Sequence, residues 1–181
     1  MIKMAEHGLK HPERYDYQAV KDMLNACSSL KMQALLAILY GCGVRISEAN
    51  KIRGKDVQVV EIEGQKVLRI YSTTLKNRGD KQRFIYIAFE KEPWLVYPIL
   101  KYSQISPEAK LFPHDRVTLF KQVKAETGIN PHGFRAIRGC HLVSQFNFTD
   151  QKLTAYMGWT DSRPAKFYIK LRGKDIVPGL Q

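Results

Sequence analysis

The spacing of apolar residues changes in the middle of this chain, and that change limits the folds that it can adopt. Between residues 57 and 89, apolar and polar residues alternate, with turn-forming residues at two points. The pattern predicts three antiparallel strands: Val57–Ile62, Lys66–Thr73 and Gln82–Phe89. A sheet of three strands with one apolar face is stable only when other elements cover that face. We therefore expect helices to pack against it.

Helical spacing occurs on both sides of the alternating region. The segment from Lys31 to Tyr40 is apolar over most of its length, which predicts a buried helix ending at Gly41. Capping residues and prolines predict where the other helices begin. These starts are near Asp16, Ser47, Pro93, Pro131, Pro164 and either Thr149 or Asp150, and a further helix is expected from Val117 to Thr127. The predicted fold class is mainly α with a small three-stranded antiparallel sheet (α+β). Residues 16–181 are expected to form one domain after a flexible N-terminal segment, residues 1–15.

The chain is strongly basic, and its excess charge bears on its partner. Its 181 residues contain 29 Lys and Arg against 17 Asp and Glu, a net charge of +12, and the isoelectric point is about 9.7. Such a surplus favours a polyanion, either nucleic acid or an anionic membrane. No stretch approaches the roughly 18 apolar residues of a membrane span, and the N-terminal residues lack the apolar run of a signal peptide. We expect a cytoplasmic protein associated with nucleic acid and not with a membrane.

The cysteines suggest no cross-link and no metal site. Cys27, Cys42 and Cys140 are far apart, without a CxxC pair or a Cys/His cluster of zinc spacing. We expect free thiols in a reducing compartment, and neither a metal nor a cofactor.

Two motifs combine arginine with other polar residues. In the first, LLAILYGCGVRISEANKI, an apolar helix and a glycine-containing turn are followed by Arg45, Ser47 and Glu48. In the second, PHGFRAIRG, His132 precedes Arg135 by three residues, which places both on one face of a helix. Each motif alone is common in unrelated proteins, but their order along the chain is informative.

A third motif, YMGWTDSRPAKFYIKL, places Trp159 nine residues before Tyr168 (168 − 159 = 9). The three motifs in this order resemble the signature of the tyrosine recombinases of the phage integrase type, and the resemblance covers nearly the whole chain. It implies the fold of that family's catalytic domain. It also implies that Tyr168 is the nucleophile and that Arg45, His132, Arg135 and Trp159 act on the phosphate.

The resemblance further implies a catalytic lysine on the predicted hairpin. Lys76, at the end of one strand, is preferred over Lys81, at the start of the next, and the other lysine would then contact the DNA backbone. Glu48 is expected to orient the two arginines as a supporting carboxylate. Arg138, one turn beyond Arg135, is a candidate for a further DNA contact.

These residue types suit phosphodiester transfer. Negative charge builds on the non-bridging oxygens, and the planar guanidinium donates two parallel hydrogen bonds to a phosphate. Histidine donates to the phosphate or exchanges a proton with the tyrosine, and the indole N–H is a further donor. A lysine on a strand turn protonates the leaving 5′ oxygen. Tyrosine, with an ordinary pKa of about 10, needs such neighbours to act as a nucleophile.

The resemblance implies a site-specific DNA recombinase or integrase of the kind that mobile genetic elements carry. Such an enzyme cuts and rejoins double-stranded DNA through a covalent 3′-phosphotyrosine, within a tetrameric synapse, and Tyr168 would act in cis or in trans. The family's N-terminal DNA-clamping domain would be absent, so the chain is either an excised domain or a naturally short version. Two alternatives remain: a type IB topoisomerase-like enzyme, and a non-catalytic DNA-binding regulator on the same fold.

Overall fold

The computed structural model describes residue 9, residues 11–76 and residues 79–176, and for residues 74–76, 79–81 and 172–176 it describes the backbone only. Within these ranges the chain forms eight α-helices and one three-stranded antiparallel sheet, which confirms the predicted fold class. No helix in the described part of the chain is long and apolar enough to cross a membrane.

Three helices precede the sheet, and five follow it. The first three are α1 (Tyr17–Asn25), α2 (Leu30–Gly41) and α3 (Ile46–Ala49). The strands are β1 (Val57–Ile62), β2 (Gln65–Lys76) and β3 (Gly79–Ala88), in the order β1-β2-β3. The last five helices are α4 (Pro93–Ser103), α5 (Arg116–Thr127), α6 (Pro131–Ser144), α7 (Asp150–Met157) and α8 (Arg163–Ile176).

Helix α2 is the centre of the main core. Its residues 34–41 are all buried, and it packs against α4 and α6. The Ser29 hydroxyl begins the helix by accepting the Met32 N–H, as an N-cap residue does. The sequence YDYQAVKDMLNACSSL predicts a helix that continues to Leu30. The observed helix is shorter, because α1 ends at Asn25 and residues 26–29 form the connection to α2.

The sheet covers this core with one face. Leu68 and Ile70 of β2 and Ile85 and Ile87 of β3 are buried on the inner face, as strand alternation requires. The predicted strands are all present, and β1 has the predicted bounds. Strands β2 and β3 extend further than predicted, to the hairpin end at residues 76 and 79.

The segment before α1 packs against the domain from residue 11 onward. Pro12 is buried in a short 3-10 turn that contacts α6, and the carbonyl oxygen of Tyr15 accepts a hydrogen bond from His141 Nε2 at 2.6 Å. Residues 11–15, part of the segment expected to be flexible, thus have defined contacts with the domain in this structure. Residues 1–8 and Lys10, also part of that expectation, lie outside the described residues.

Candidate active site

The turn between α2 and α3 positions Arg45. Gly43 has a φ of +61°, and a Cβ there would lie 2.7 Å from Met157 Sδ, so both backbone conformation and space favour glycine. The chain then enters α3 with Arg45 at the N-cap position, where Ser47 had been expected. The Arg45 side chain remains 44% exposed, so it can contact a ligand in solution.

Arg135 reaches the same place from α6, but it is buried. It donates to the carbonyl oxygens of Gly43 and Met157, the second at 3.0 Å. Burial lowers the pKa of Arg135 to about 10, aided by the positive charge of Arg83 and opposed by the carboxylate of Glu48. Arg135 is therefore still a cation at neutral pH, and a guanidinium has five N–H donors, of which these two bonds use two.

Glu48 lies between two arginines. It is 2% exposed, its Oε1 lies 3.9 Å from Arg45 Nη1, and its Oε2 lies 3.7 Å from Arg83 Nη2. The contact with Arg45 fits the supporting role expected for this carboxylate. Arg83 was not found from the sequence, although a signal existed. Arg83 alternates with Ile85 and Ile87 on the inner face of β3, where a charged residue is unusual.

Several motif residues meet in a pocket of about 190 Å³, which we call the arginine pocket. Arg45, Glu48, Arg135 and Trp159 line it, together with the chain that follows α7 (Gly158, Thr160, Asp161 and Pro164). The guanidinium carbon of Arg135 lies 5.7 Å from the centre of the Trp159 ring. Of the two carboxylates that also line the cavity, Glu48 faces Arg83 and Asp161 pairs with Arg163. The two guanidinium groups therefore favour an anion such as a phosphate.

Tyr168 lies next to this pocket and does not line it. Its side chain is 5% exposed and packs against α6, where a Cβ on Gly139 would come within 2.9 Å of its Cε1 atom. It borders a different cavity of about 290 Å³, beside Tyr15 and His141. Burial is the main cause that raises the pKa of Tyr168, and the charge of Arg135 opposes it only partly. In this conformation the tyrosine is docked in the core and protonated.

His132 also lies outside the arginine pocket. It is the second residue of α6, after Pro131, and borders a third cavity of about 440 Å³ with Ile46, Val117 and Phe120. The structure thus brings together Arg45, Glu48, Arg135 and Trp159. It places His132 and Tyr168 against two other cavities.

The match to known proteins decides the family. Residues 13–174 match the model of the phage integrase family. This chain belongs to the phage integrase family. The resemblance inferred from the three motifs is thereby confirmed. No curated protein matches the chain.

Solved structures of several recombinases share the fold of this phage integrase family member. XerA recombinase has a TM-score of 0.65 at 18% identity, over 96% of this chain and 67% of that one. XerH site-specific recombinase bound to difH substrate has a TM-score of 0.60 at 18% identity, over 92% of this chain and 53% of that one. The Tn1549 transposon integrase in complex with a circular intermediate DNA has a TM-score of 0.55 at 13% identity, over 83% and 58%. This chain therefore spans about half the length of the XerH chain.

The hairpin lysine of the phage integrase family has two candidates here. The backbone of Lys76 ends β2 opposite Gly79, and that of Lys81 lies on β3 opposite Thr74. By strand register, both positions belong to the same face of the sheet as Arg83 and its partner Ser72. The side chains of both lysines are outside what the structure describes, so both remain candidates.

Arg138 has an internal role. Its side chain is 1% exposed, and its two terminal nitrogens donate to the two carboxylate oxygens of Glu92, each at 2.7 Å. It also donates to the Tyr156 hydroxyl at 3.2 Å. Arg138 therefore cannot reach DNA in this structure, which corrects the expectation of a DNA contact. The physical reason is that this part of α6 faces the core between α2 and α4.

Proposed function

We propose that this chain is the catalytic domain of a site-specific DNA recombinase that cuts and rejoins double-stranded DNA through a 3′-phosphotyrosine on Tyr168. The observation that carries the proposal is the convergence of Arg45, Arg135 and Trp159 on one pocket. These side chains come from three different parts of the chain, and together they supply the charge and the donors that a phosphodiester needs.

In the proposed reaction, the scissile phosphate occupies the arginine pocket. The Tyr168 oxygen attacks phosphorus, a bond from that oxygen to phosphorus forms, and the bond from phosphorus to the 5′ oxygen breaks. Arg45 and Arg135 stabilise the charge that develops on the non-bridging oxygens. Lys76 or Lys81 gives a proton to the leaving 5′ oxygen. The tyrosine proton passes to His132, or to water if His132 instead donates to the phosphate. For either role His132 must turn toward the arginine pocket, because it borders another cavity in this structure. Attack by a free 5′-hydroxyl reverses these steps and rejoins a strand.

The docked tyrosine adds one requirement to this proposal. Because the Tyr168 ring is buried against Gly139 and does not border the arginine pocket, it must leave this position before it attacks. Either the side-chain rotamer of Tyr168 or the position of helix α8, which carries it, has to change. We therefore propose that DNA or a neighbouring subunit favours the undocked state.

Charge and relatives support DNA as the partner. The net charge of +12 favours a polyanion. The XerH and Tn1549 structures are complexes with DNA, and the proposal carries that partner over to this chain. Assembly as a tetrameric synapse on DNA, and action in the cytoplasm, are parts of the same proposal.

The test is covalent capture of DNA. A duplex library with a bridging 5′-phosphorothiolate traps the intermediate, because cleavage releases a thiol that religates poorly. We expect a denaturation-resistant adduct with the unmutated protein and with Tyr97→Phe, which alters a tyrosine that is 51% exposed. We expect none with Tyr168→Phe. Peptide mapping should place the nucleotide on Phe167-Tyr168; an adduct that survives Tyr168→Phe, or none on any duplex, overturns the proposal.

A further inference from the structure

Arg83 is a buried cation that has no role in the reaction described above. It lies on β3 opposite Ser72, on the inner face of the sheet, and its side chain is 9% exposed. It does not line the arginine pocket but lies behind it, next to Glu48 and Gly158. Burying a cation costs free energy unless it is paired, so its contacts should explain its presence.

Arg83 joins two parts of the site. Its Nη1 donates to the carbonyl oxygen of Tyr156, and its Nη2 lies 3.7 Å from Glu48 Oε2. Its stem crosses Gly158 so closely that a Cβ there would lie 2.8 Å from Arg83 Cδ. The Arg83 side chain thus contacts both Glu48, which lines the arginine pocket, and the turn that carries Trp159.

The end of α7 depends on two arginines. The last carbonyls of a helix lack partners within the helix and form its negative end. Here the Tyr156 carbonyl accepts from Arg83, and the Met157 carbonyl accepts from Arg135 at 3.0 Å. Trp159 follows directly, so its position relative to Arg135 depends on how this helix end is held.

The charges around Glu48 are unequal in number. Arg45, Arg83 and Arg135 surround this one carboxylate, and its Oε2 is buried without a hydrogen-bond partner among the described residues. Arg45 is 44% exposed and makes only a 3.9 Å ion pair to Glu48, so Glu48 can orient it only if Glu48 itself is held in place. Arg83 is the cation beside Glu48 Oε2. Its Nη2 lies 3.7 Å from Oε2 and, like Oε2, has no hydrogen-bond partner among the described residues, so Arg83 holds Glu48 by charge and not by a hydrogen bond.

We propose that Arg83 is a positioning residue of the cleavage site, which acts through Glu48 on Arg45 and through the end of α7 on Trp159. This rests on the proposed function for its effect on cleavage. A role in stability alone would change the amount of folded protein and leave the rate constant of the folded fraction unchanged. Positioning changes the rate constant itself.

The main experiment compares Arg83→Met with Arg69→Met. Arg69 lies on the same sheet but on its outer face, where it donates to Gln58, so it controls for the loss of one arginine. Single-turnover cleavage of the phosphorothiolate duplex is measured at saturating protein. We expect Arg83→Met to lower the rate constant on the order of 10–100-fold, the usual effect of losing a supporting contact, with duplex affinity little changed. Arg69→Met should retain the original rate constant.

Coupling to Glu48 tests the route of action. If Arg83 acts through Glu48, the double variant Arg83→Met/Glu48→Gln should cleave no more slowly than the slower single variant. Multiplication of the two losses would overturn that route. Arg83→Lys retains a charge but not a fork that spans Glu48 and the Tyr156 carbonyl, so its rate constant should fall between those of Arg83→Met and the unmutated protein. If Arg83→Met does not fold, Arg83→Lys decides alone, and an unchanged rate constant with it overturns the proposal.

A second readout does not require cleavage. The chain has two tryptophans, so Trp94→Phe leaves Trp159 as the fluorescent reporter. In that background, Arg83→Met should increase acrylamide quenching of Trp159, and Arg69→Met should not. Absence of cleavage by the unmutated protein would refute the proposed function. The quenching comparison alone would then test whether Arg83 holds Trp159 in position. Unchanged quenching together with an unchanged rate constant overturns the inference.

Discussion

The ring of Tyr168 lies parallel to the indole of Trp159, with 5.8 Å between the ring centres and 10° between the planes. The same indole lies 5.7 Å from the Arg135 guanidinium carbon and lines the arginine pocket. Trp159 therefore contacts both the docked tyrosine and the candidate phosphate site. Release of Tyr168 from α6 would remove this ring contact from Trp159, which links the position of the proposed nucleophile to the candidate phosphate site.

Gly139→Ala should favour release of Tyr168. The added Cβ would lie 2.9 Å from Cε1 and 3.0 Å from Cζ of the docked ring, and overpacking of this kind costs about 1–3 kcal/mol. We expect faster nitration of Tyr168 by tetranitromethane, read by mass spectrometry, with exposed Tyr97 as the internal reference. Cleavage should be at least as fast as in the unmutated protein. Unaltered nitration of Tyr168 would contradict this.

Arg45→Ala should slow cleavage without destabilising the fold. Removal of one preorganised donor of positive charge lowers the rate by ~10²–10³. Because Arg45 is 44% exposed, we expect little change in the urea midpoint. Single-turnover kinetics and urea unfolding measure the two effects, and cleavage at the original rate would exclude Arg45 from the site.

Arg135→Ala should lose both cleavage and stability. The rate should fall by a similar ~10²–10³. In addition, the carbonyls of Gly43 and Met157 lose their buried donor, at a cost of about 1–3 kcal/mol for each group left unsatisfied. A urea midpoint equal to that of Arg45→Ala would contradict the structural part of this prediction.

Arg138→Met should destabilise the fold. It leaves the carboxylate of Glu92 buried without its cation, and breaking a buried pair costs about 3–5 kcal/mol. Urea unfolding measures the loss. Arg163→Met, which breaks an exposed pair with Asp161, serves as the control and should leave the unfolding midpoint unchanged. Equal midpoints for the two variants would show that the Arg138 pair does not support the core.

His141 should make stability depend on pH. Burial lowers its pKa below the ordinary value of 6.5, despite the hydrogen bond to the Tyr15 carbonyl, while the Tyr40 hydroxyl donates to Nδ1 at 2.6 Å. Below pH 6.5 the unfolded chain binds a proton that the folded chain resists, so this contribution is present above that pH and is lost as the pH falls through the folded pKa. His141→Gln should reduce the drop in urea midpoint between about pH 7.5 and about pH 5.5. An equal drop in both proteins would assign the effect to other groups.

The sequence by itself determined the local structure and the chemical types at the site. The alternation between residues 57 and 89 predicted all three strands, and the apolar run at Lys31–Tyr40 predicted α2, because these signals lie within a single element. The order of the three motifs indicated the family for a similar reason: a motif is a short stretch with a fixed internal spacing. The bounds were less certain, as α1 shows, because a helix end depends on what packs against it.

Only the tertiary structure decided which partners these residues have. Arg138 and Glu92 are 46 residues apart, and Arg83 and Tyr156 are 73 residues apart, so no local pattern indicates either contact. The docked position of Tyr168 likewise depends on Gly139 of α6 and Trp159 beyond α7. Spacing within a helix or strand shows which face a side chain occupies, but the packing of elements decides what that face meets. For this chain, packing decides that Arg45 and Arg135 line a pocket and that Arg138 pairs with Glu92 in the core.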